Sequence, residues 1–335
     1  MDRRLNVAVI GLGVGEQHAL AYHGLAGCRL RWLHDLDTDR ALALRDRLGE
    51  GEVTEDEARI FEDPEIDLVS IASFDDHHFG QVIQGIGNRK HLFVEKPLCR
   101  NIEELGEIKK RWNAGDRTAI ESNLVLRAAP AYVWLRDAIR SGEFGEVYAF
   151  DGDYLYGRMH KITEGWRKDV PDYSVMTGGG IHLIDLMMWM TGQCPDSVAT
   201  VGNRICTEGS DFRYDDFMAS TYLFDSGLVG RITANFGCVH RHQHVVRLFG
   251  GKATFIHDDL GVRVHWSRDP ETPPQELALS PLPDGKGALI PGFVDSIRAG
   301  ADTAETAQLN FDLISVCVAT NEALGVDGHI KIHYV

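Results

Sequence analysis

Short apolar runs alternate with amphipathic stretches over about the first 120 residues, a pattern that predicts strands separated by helices. The predicted strands are Leu5 to Ile10, Arg29 to His34, Asp67 to Ala72 and His91 to Val94. The predicted helices are Gln17 to Leu25, Thr38 to Leu48 and His78 to Ile86. Strands spaced by helices of this length indicate βαβ units, and therefore an α/β domain with a doubly wound parallel sheet.

From residue 124 onward the pattern changes, because longer runs of strand-forming residues are separated by turns such as Asp225-Ser226-Gly227. The predicted strands here are Glu146 to Tyr156, Asp196 to Ile205, Ala219 to Phe224, Leu228 to Phe236, His244 to Phe249 and Ala253 to Ile256. Helices are expected at Ala131 to Ile139 and, at the end of the chain, at about 304–324. We therefore expect a dinucleotide-binding domain over residues 1–123. Residues 124–335 are expected to form an α+β domain for substrate binding and oligomerisation, with a large, mostly antiparallel open sheet.

Charge and cysteine usage restrict the class of protein. The 34 Lys and Arg residues against 50 Asp and Glu residues give a net charge of −16, which argues against a nucleic-acid partner. No apolar run approaches the roughly 18 residues of a membrane span. The start MDRRLNVAVIGLG passes directly into a predicted strand, so we do not expect a secretory signal. The six cysteines form no C-x-x-C pair, so we expect reduced thiols in a cytoplasmic protein.

A glycine-rich turn, Gly11-Leu12-Gly13-Val14-Gly15, follows the first predicted strand and opens the first helix. Glycine lets a backbone approach a pyrophosphate closely, and the amides of the helix N-terminus favour its charge. We therefore expect Gly11, Gly13 and Val14 to contact a dinucleotide. Glu16 stands where the usual third glycine would be, and plain strand-to-helix packing is the alternative explanation of the motif.

Asp35 ends the second predicted strand, 24 residues after Gly11. A carboxylate there accepts hydrogen bonds from a ribose diol and repels a 2′-phosphate, which favours NAD over NADP. The alternative is a solvated acid in a turn that also contains Asp37 and Asp39.

Glu95-Lys96-Pro97 directly follows the predicted strand His91 to Val94. With Gly11-x-Gly13, His18, Arg127 and Gly142-x-x-Gly145, it resembles the glucose-fructose oxidoreductase / inositol dehydrogenase / rhizopine-catabolism (Gfo/Idh/MocA) family. The resemblance covers nearly the whole chain. It implies a Rossmann domain followed by an α/β domain, with hydride transfer on sugars, cyclitols or their derivatives. It also implies homodimers or homotetramers built on the open sheet.

Lys96 is the predicted proton-transfer residue. A lysine at the carboxyl end of a central strand lies in the ligand crevice of such sheets, where it can meet a substrate hydroxyl. Glu95 can hold this lysine, and both residues can contact the cofactor. A surface lysine in a loop is the alternative, and the resemblance implies that the Lys96–Pro97 bond is cis.

The segment Gly178-Gly-Gly-Ile-His182-Leu-Ile-Asp185 resembles a second signature of this family. His182 and Asp185 are three apart on a predicted helix, so the carboxylate can orient the imidazole toward the substrate. A capped histidine at a helix start is the alternative. Many members of the family carry an aspartate where this chain has Gly178, so Lys96 and His182 would manage the proton without it.

The remaining expectations concern contacts and alternative activities. Ser73, Phe74 and His78 are expected near the cofactor, and no metal is expected. Candidate substrate contacts share an aromatic, cationic or amide side chain: Asn123, Tyr156, Arg158, Trp166, Arg167 and His182. A nucleotide sugar is a possible substrate subclass. An NAD-dependent glycosidase and a non-catalytic, nucleotide-sensing regulator are the alternative functions.

Overall fold

The computed structural model describes residues 3–335, which divide into two compact units. The first contains the described residues up to Val125, together with Asp284–Ile314 and Val335. The second contains Leu126–Pro283 and Ser315–Tyr334.

The first unit contains a parallel six-stranded sheet in the order β3-β2-β1-β4-β5-β6. This is the strand order of a doubly wound dinucleotide-binding fold, so the predicted class of the N-terminal domain is confirmed. Its strands are β1 (Leu5–Ile10), β2 (Cys28–His34), β3 (Glu52–Val53), β4 (Leu68–Ile71), β5 (His91–Val94) and β6 (Ile120–Ser122). Its first five helices are α1 (Gly15–His23), α2 (Thr38–Leu48), α3 (Glu57–Glu62), α4 (His78–Gly87) and α5 (Ile102–Ala114).

Local chemistry explains why these elements begin and end where they do. All four residues of β4 are buried, as expected for a central strand covered on both faces. The Asp37 carboxylate accepts a hydrogen bond from the Arg40 amide and begins α2, and Gly49, in the left-handed conformation, ends it.

The segment Asp284–Ile314 belongs to the first unit, whereas its position after residue 123 had placed it in the predicted second domain. It contains α9 (Ile290–Ala299), whose apolar residues complete the first core. Phe293 packs on Phe93 of β5 with ring centroids 5.6 Å apart. The C-terminal helix α10 (Ala304–Glu322) begins at the predicted residue, and the division between the units falls within it.

The second unit is built on a nine-stranded sheet in the order β14-β13-β12-β11-β7-β10-β9-β8-β15. All of its described strand pairs are antiparallel except β7 with β10, which confirms the mostly antiparallel sheet. Its strands are β7 (Val147–Leu155), β8 (Ser197–Asn203), β9 (Phe217–Leu223), β10 (Val229–Asn235), β11 (Gln243–Gly250), β12 (Thr254–Asp258), β13 (Gly261–His265), β14 (Gln275–Glu276) and β15 (Ile330–Lys331). Its helical elements before β8 are a 3₁₀ turn (Val125–Ala128, beginning at the division), α6 (Pro130–Arg140), α7 (His160–Thr163), a 3₁₀ turn (Trp166–Asp169), a π-helical turn (Met176–Gly180) and α8 (Ile181–Thr191).

The two faces of this sheet differ in polarity. On one face Gly152 of β7 leaves room for Leu183 of α8, since a Cβ at residue 152 would lie 3.2 Å from the Leu183 Cβ. On the other face Asp151 binds Arg231 in a two-point ion pair, and Asp153 accepts from Arg247 at 3.2 Å. Within residues 3–335, no helix is both long enough and apolar enough to cross a membrane.

Two adjacent glycines at the end of β11 provide a test of the packing. A methyl group at Gly250 would overlap the carbonyl oxygen of Phe144 and lie 3.0 Å from its carbon, whereas at Gly251 the nearest atoms are 3.9 Å away. We expect Gly250→Ala to lower the free energy of unfolding by about 1–3 kcal/mol, because the backbone carbonyl must shift. Urea denaturation followed by circular dichroism measures this. Gly251→Ala is the control, and equal losses in the two variants would contradict the packing described.

Candidate active site

The glycine turn after β1 brings the backbone against the neighbouring strand β4. Gly11 has φ +81°, and a Cβ there would overlap the carbonyl oxygen of Ala72 and lie 2.6 Å from its carbon. The Gly11 amide donates to the carbonyl oxygen of His34 at 2.8 Å. Only glycine fits this conformation and this approach.

The outer part of the turn fits a bound dinucleotide phosphate. Gly13 is exposed, and a Cβ there would meet no atom within 4 Å, so its backbone borders open space. The next residue, Val14, precedes α1 and provides no side-chain cap for the first helical amides. Uncapped amides beside an accessible glycine are the groups that bind a pyrophosphate.

Gly15 takes over the packing role of the missing third glycine. A Cβ at Gly15 would lie 3.0 Å from the Cβ of Ala72 and 3.1 Å from the Cγ1 of Val9. The helix therefore packs closely on the strands although Glu16 stands at the usual glycine position.

Asp35 is placed as predicted, at the end of β2 and against the glycine turn. Its carboxylate accepts from the Leu12 amide at 2.6 Å and from the Asp37 amide at 2.8 Å, with Arg40 Nη1 at 3.3 Å. The residue is 9% exposed. Each carboxylate oxygen has a second lone pair, so the fixed side chain can still accept from a ribose diol.

The loop after β4 contains the three residues predicted near the cofactor. Phe74 is exposed, and the Ser73 hydroxyl donates to Gln81 at 2.7 Å. His78 is completely buried, with Nδ1 2.7 Å from the carbonyl oxygen of Pro97 and Nε2 3.2 Å from that of Ser73. His78 thus connects two loops, and its direct contact with the cofactor stays a prediction.

Glu95 lies at the centre of a polar cluster at the carboxyl ends of the strands. The Asn123 amide donates to Glu95 Oε1 at 2.6 Å and to the carbonyl oxygen of Lys286 at 2.8 Å. His18 Nε2 is 3.2 Å from the same Glu95 oxygen, and its Nδ1 is 3.0 Å from the Ser70 hydroxyl. The two amide hydrogens of Asn123 are donated to Glu95 and to the Lys286 carbonyl. His18 Nε2 therefore carries a hydrogen of its own and donates it to Glu95.

These neighbours keep the Glu95 carboxyl ionised. Burial alone would raise its pKa, but the hydrogen bonds and charges of His18, Lys96 and Asn123 outweigh burial and lower the pKa to about 2. Lys96 follows directly, is half-buried, and forms a cis peptide bond with Pro97. Glu95 therefore offers a fixed negative charge beside the predicted proton-transfer lysine.

Asn123 is a predicted substrate contact, but the structure gives it another task. It is 1% exposed and holds Glu95 and the 284–314 segment. Its amide nitrogen is engaged within the cluster and supports Glu95, and a substrate contact of Asn123 stays a prediction.

In the second unit, His182 lies in the first turn of α8 and is 7% exposed. Its ring centroid is 5.9 Å from that of His244 on β11, and the His244 ring lies 5.1 Å from Tyr154 on β7. Burial raises the pKa of Tyr154, so its phenol stays neutral. The helix and two strands therefore bring imidazole and phenol groups together.

Asp185, predicted to orient His182, binds Arg127. Both carboxylate oxygens accept from the guanidinium, with Nε 3.1 and 3.0 Å from Oδ1 and Oδ2 and a further short bond from Nη2 to Oδ1. The pair is largely buried, with side-chain exposures of 2% and 12%. Asp185 therefore fixes Arg127, and an orienting contact with His182 stays a prediction.

The other predicted substrate residues follow β7 in the chain. Tyr156 packs against Phe236 with centroids 4.4 Å apart, and the Arg158 guanidinium lies 5.7 Å from the Tyr156 ring centroid. Arg167 covers the neighbouring Trp166 ring at 4.5 Å. Arg158 is exposed, and Trp166 and Arg167 are half-buried, so all three have surface to offer a ligand.

Sequence reasoning did not find the residues that hold these groups in place. His18 and Arg127 were noted only as parts of a resemblance, and the Lys286 carbonyl was not considered. No local signal identifies such partners, because His18 is 77 positions from Glu95 and Arg127 is 58 positions from Asp185.

Comparison with known proteins agrees with this architecture. Residues 5–120 match the family model described as oxidoreductase family, NAD-binding Rossmann fold. Residues 132–256 match the model of the GFO/IDH/MocA C-terminal domain. The structure of levoglucosan dehydrogenase in complex with NADH has a TM-score of 0.84 at 21% identity, covering 99% of this chain and 100% of that one.

Two curated relatives are inositol dehydrogenases. Inositol 2-dehydrogenase 2 of Saccharopolyspora erythraea is 26% identical over 191 residues, which cover 56% of this chain and 54% of that protein. The chain thus spans about half the length of that relative. Inositol 2-dehydrogenase of Rubrobacter xylanophilus is 30% identical over 257 residues, which cover 76% of this chain and 71% of that protein. The chain therefore belongs to the Gfo/Idh/MocA family of oxidoreductases, with an NAD-binding Rossmann domain at its N-terminal end.

Proposed function

We propose that this protein is an NAD-dependent dehydrogenase or reductase acting on a secondary alcohol or ketone of a sugar, cyclitol or sugar derivative. The observation that carries the proposal is the arrangement of the first unit. A fitted glycine turn, a fixed diol-binding carboxylate at Asp35 and the Glu95–Lys96 pair all lie at the carboxyl ends of its parallel strands. The names of the relatives, inositol dehydrogenases and levoglucosan dehydrogenase, support polyol substrates.

The turn residues would hold the cofactor by its polar groups. The backbone amides of Gly13 to Gly15 suit the pyrophosphate, and Asp35, held by the Leu12 amide, suits the adenosine ribose. Bound NAD supplies hydride acceptance, and bound NADH supplies hydride donation.

Lys96 would move the substrate proton. Oxidation of a secondary alcohol releases a hydroxyl proton, and reduction of the ketone takes one up, so one positioned acid–base group serves both directions. Glu95 directs the lysine by its fixed negative charge. His182 would polarise the substrate oxygen, since an imidazole N–H can donate a hydrogen bond to it.

The glycine turn provides the first test. We expect Gly13→Ala to leave the stability unchanged, since its methyl meets no protein atom, and to weaken NAD binding at least about tenfold. Isothermal titration calorimetry measures the affinity, and thermal denaturation measures the stability. Gly11→Ala is the matched contrast, and we expect it to lower stability by about 1–3 kcal/mol because of its positive φ. Unimpaired NAD binding by Gly13→Ala would refute the placement of the pyrophosphate.

Lys96 provides the second test. A panel of cyclitols, anhydrosugars and nucleotide sugars is screened by NADH absorbance, and the best substrate is used with Lys96→Ala. We expect kcat to fall about 10²–10⁴-fold, because an acid–base group is lost, while NAD affinity changes little. Lys110→Ala, an exposed lysine on α5, is the control. Full activity of Lys96→Ala would remove the proton-transfer role, and an inactive wild type across the panel would remove the proposed function.

A further inference from the structure

Three consecutive glycines precede α8, and each is covered by a larger side chain. A Cβ at Gly178 would overlap the hydroxyl oxygen of Tyr173 and lie 2.7 Å from its Cζ. At Gly179 it would lie 2.8 Å from the Cδ1 of Tyr154, and Met176 covers Gly180 in the same way. The absence of side chains at 178 and 179 therefore makes room for two phenol rings.

The backbone of this turn aligns Gly178 with His182. Met176–Gly180 is a π-helical turn, in which the Ile181 amide donates to the Met176 carbonyl, and α8 continues from it. Residues four apart in such a stretch lie about one turn apart on the same helix face. The Tyr173 hydroxyl occupies the position of a side chain at 178, so it lies on the face that carries His182.

The loop before this turn holds Tyr173 in place. Its ring packs edge-on against the fully buried Phe212, with centroids 6.0 Å apart. The Tyr214 hydroxyl donates to the Val170 carbonyl at 3.1 Å and accepts from the Asp172 amide at 2.9 Å. The contact with Phe212 holds the Tyr173 ring, and the Tyr214 hydrogen bonds hold the backbone just before it. The Tyr173 hydroxyl therefore keeps a defined position, as a recognition group requires.

We propose that the Tyr173 hydroxyl determines substrate specificity by hydrogen bonding to a hydroxyl of the polyol beside His182. This inference rests on the proposed function and adds a named contact to it. A neutral phenol both donates and accepts, so it matches an uncharged hydroxyl group without the desolvation cost of a carboxylate. Tyr173 and His182 are 6% and 7% exposed, and in so dry a place a missing partner hydroxyl is strongly penalised.

The first experiment compares the best polyol of the panel with its mono-deoxy analogues, using the full chain. The wild type is expected to reject one analogue, and Tyr173→Phe is expected to lower kcat/KM for the parent polyol about 3–10-fold while leaving that analogue nearly unaffected. A purely structural role would slow both compounds equally. Tyr148→Phe, which alters an exposed phenol on β7, is the control and is expected to preserve the discrimination.

A rescue variant tests position rather than ring packing. The double variant combines Tyr173→Leu with Gly178→Ser. The serine hydroxyl lies one bond beyond the Cβ of residue 178, which the Tyr173 hydroxyl overlaps in the wild type, so it restores a hydroxyl close to the original position. We expect the double variant to recover part of the discrimination that Tyr173→Leu alone loses. Unchanged discrimination in Tyr173→Phe would overturn the proposal.

A substrate-free measurement separates this inference from the proposed function. With [¹³Cζ]tyrosine, the Tyr173 resonance, assigned by its loss in Tyr173→Phe, is expected to move in His182→Asn, while the Tyr214 resonance stays. A shift in a protein that oxidises no polyol would support the placement of Tyr173 and overturn only the dehydrogenase proposal. An unmoved Tyr173 resonance would overturn the placement itself.

Discussion

A negative charge kept in a largely buried place determines the geometry of the first unit. The Glu95 carboxylate is 14% exposed. It joins α1 through His18, the chain just after β6 through Asn123, and the 284–314 segment through the Asn123 bond to Lys286. A buried carboxylate is stable only while its partners are present. Because the pKa of Glu95 is lowered from its ordinary value of 4.5, the ionised carboxylate stabilises the fold fully at pH values above 4.5. This stabilisation is lost as the pH falls toward 2. The start of the Lys96 segment is fixed by the same contacts.

The second unit uses a comparable solution with different groups. The Asp185–Arg127 ion pair fixes α8 against the chain segment that precedes α6, and both side chains are largely buried. In the π-helical turn that precedes α8, Gly178 and Gly179 have no side chains, and the rings of Tyr173 and Tyr154 fill that space. Each unit thus supports its proposed reactive residue, Lys96 or His182, by groups that are remote in sequence. Loss of a supporting group would disturb the reactive residue without removing it.

The sequence was informative where a structural cause is local. The bounds of β1, α2 and β5 match the prediction, because each has a continuous apolar run or a capped amphipathic pattern. The two-residue strands β3, β14 and β15 were not predicted, since so short a segment has no measurable periodicity. The placement of Asp284–Ile314 in the first unit depends on packing between Phe293 and Phe93, which are 200 positions apart.

The candidate site shows the same division. Gly11, Asp35 and Lys96 lie at strand ends, as the order of elements requires, and the structure places them there. Asn123 and His78 were predicted to contact ligands, and the structure shows that both are buried and also connect neighbouring segments, which the sequence did not indicate. Gly178 was interpreted as a missing side chain, whereas Tyr173 fills its place from a preceding loop. That one side chain fills the space of another depends on how the loop and the π-helical turn fold back on each other, which the hydrophobic pattern does not indicate.

The ionised state of Glu95 is the claim on which the geometry of the proposed proton-transfer site depends. It is measured most directly by a ¹³Cδ NMR titration of labelled glutamate, with the Glu95 signal assigned by its loss in Glu95→Gln. We predict that this carboxyl stays ionised in the folded protein well below pH 4.5, with a midpoint near 2. A midpoint at or above 4.5 would show that His18 and Asn123 do not hold the charge, and would contradict it.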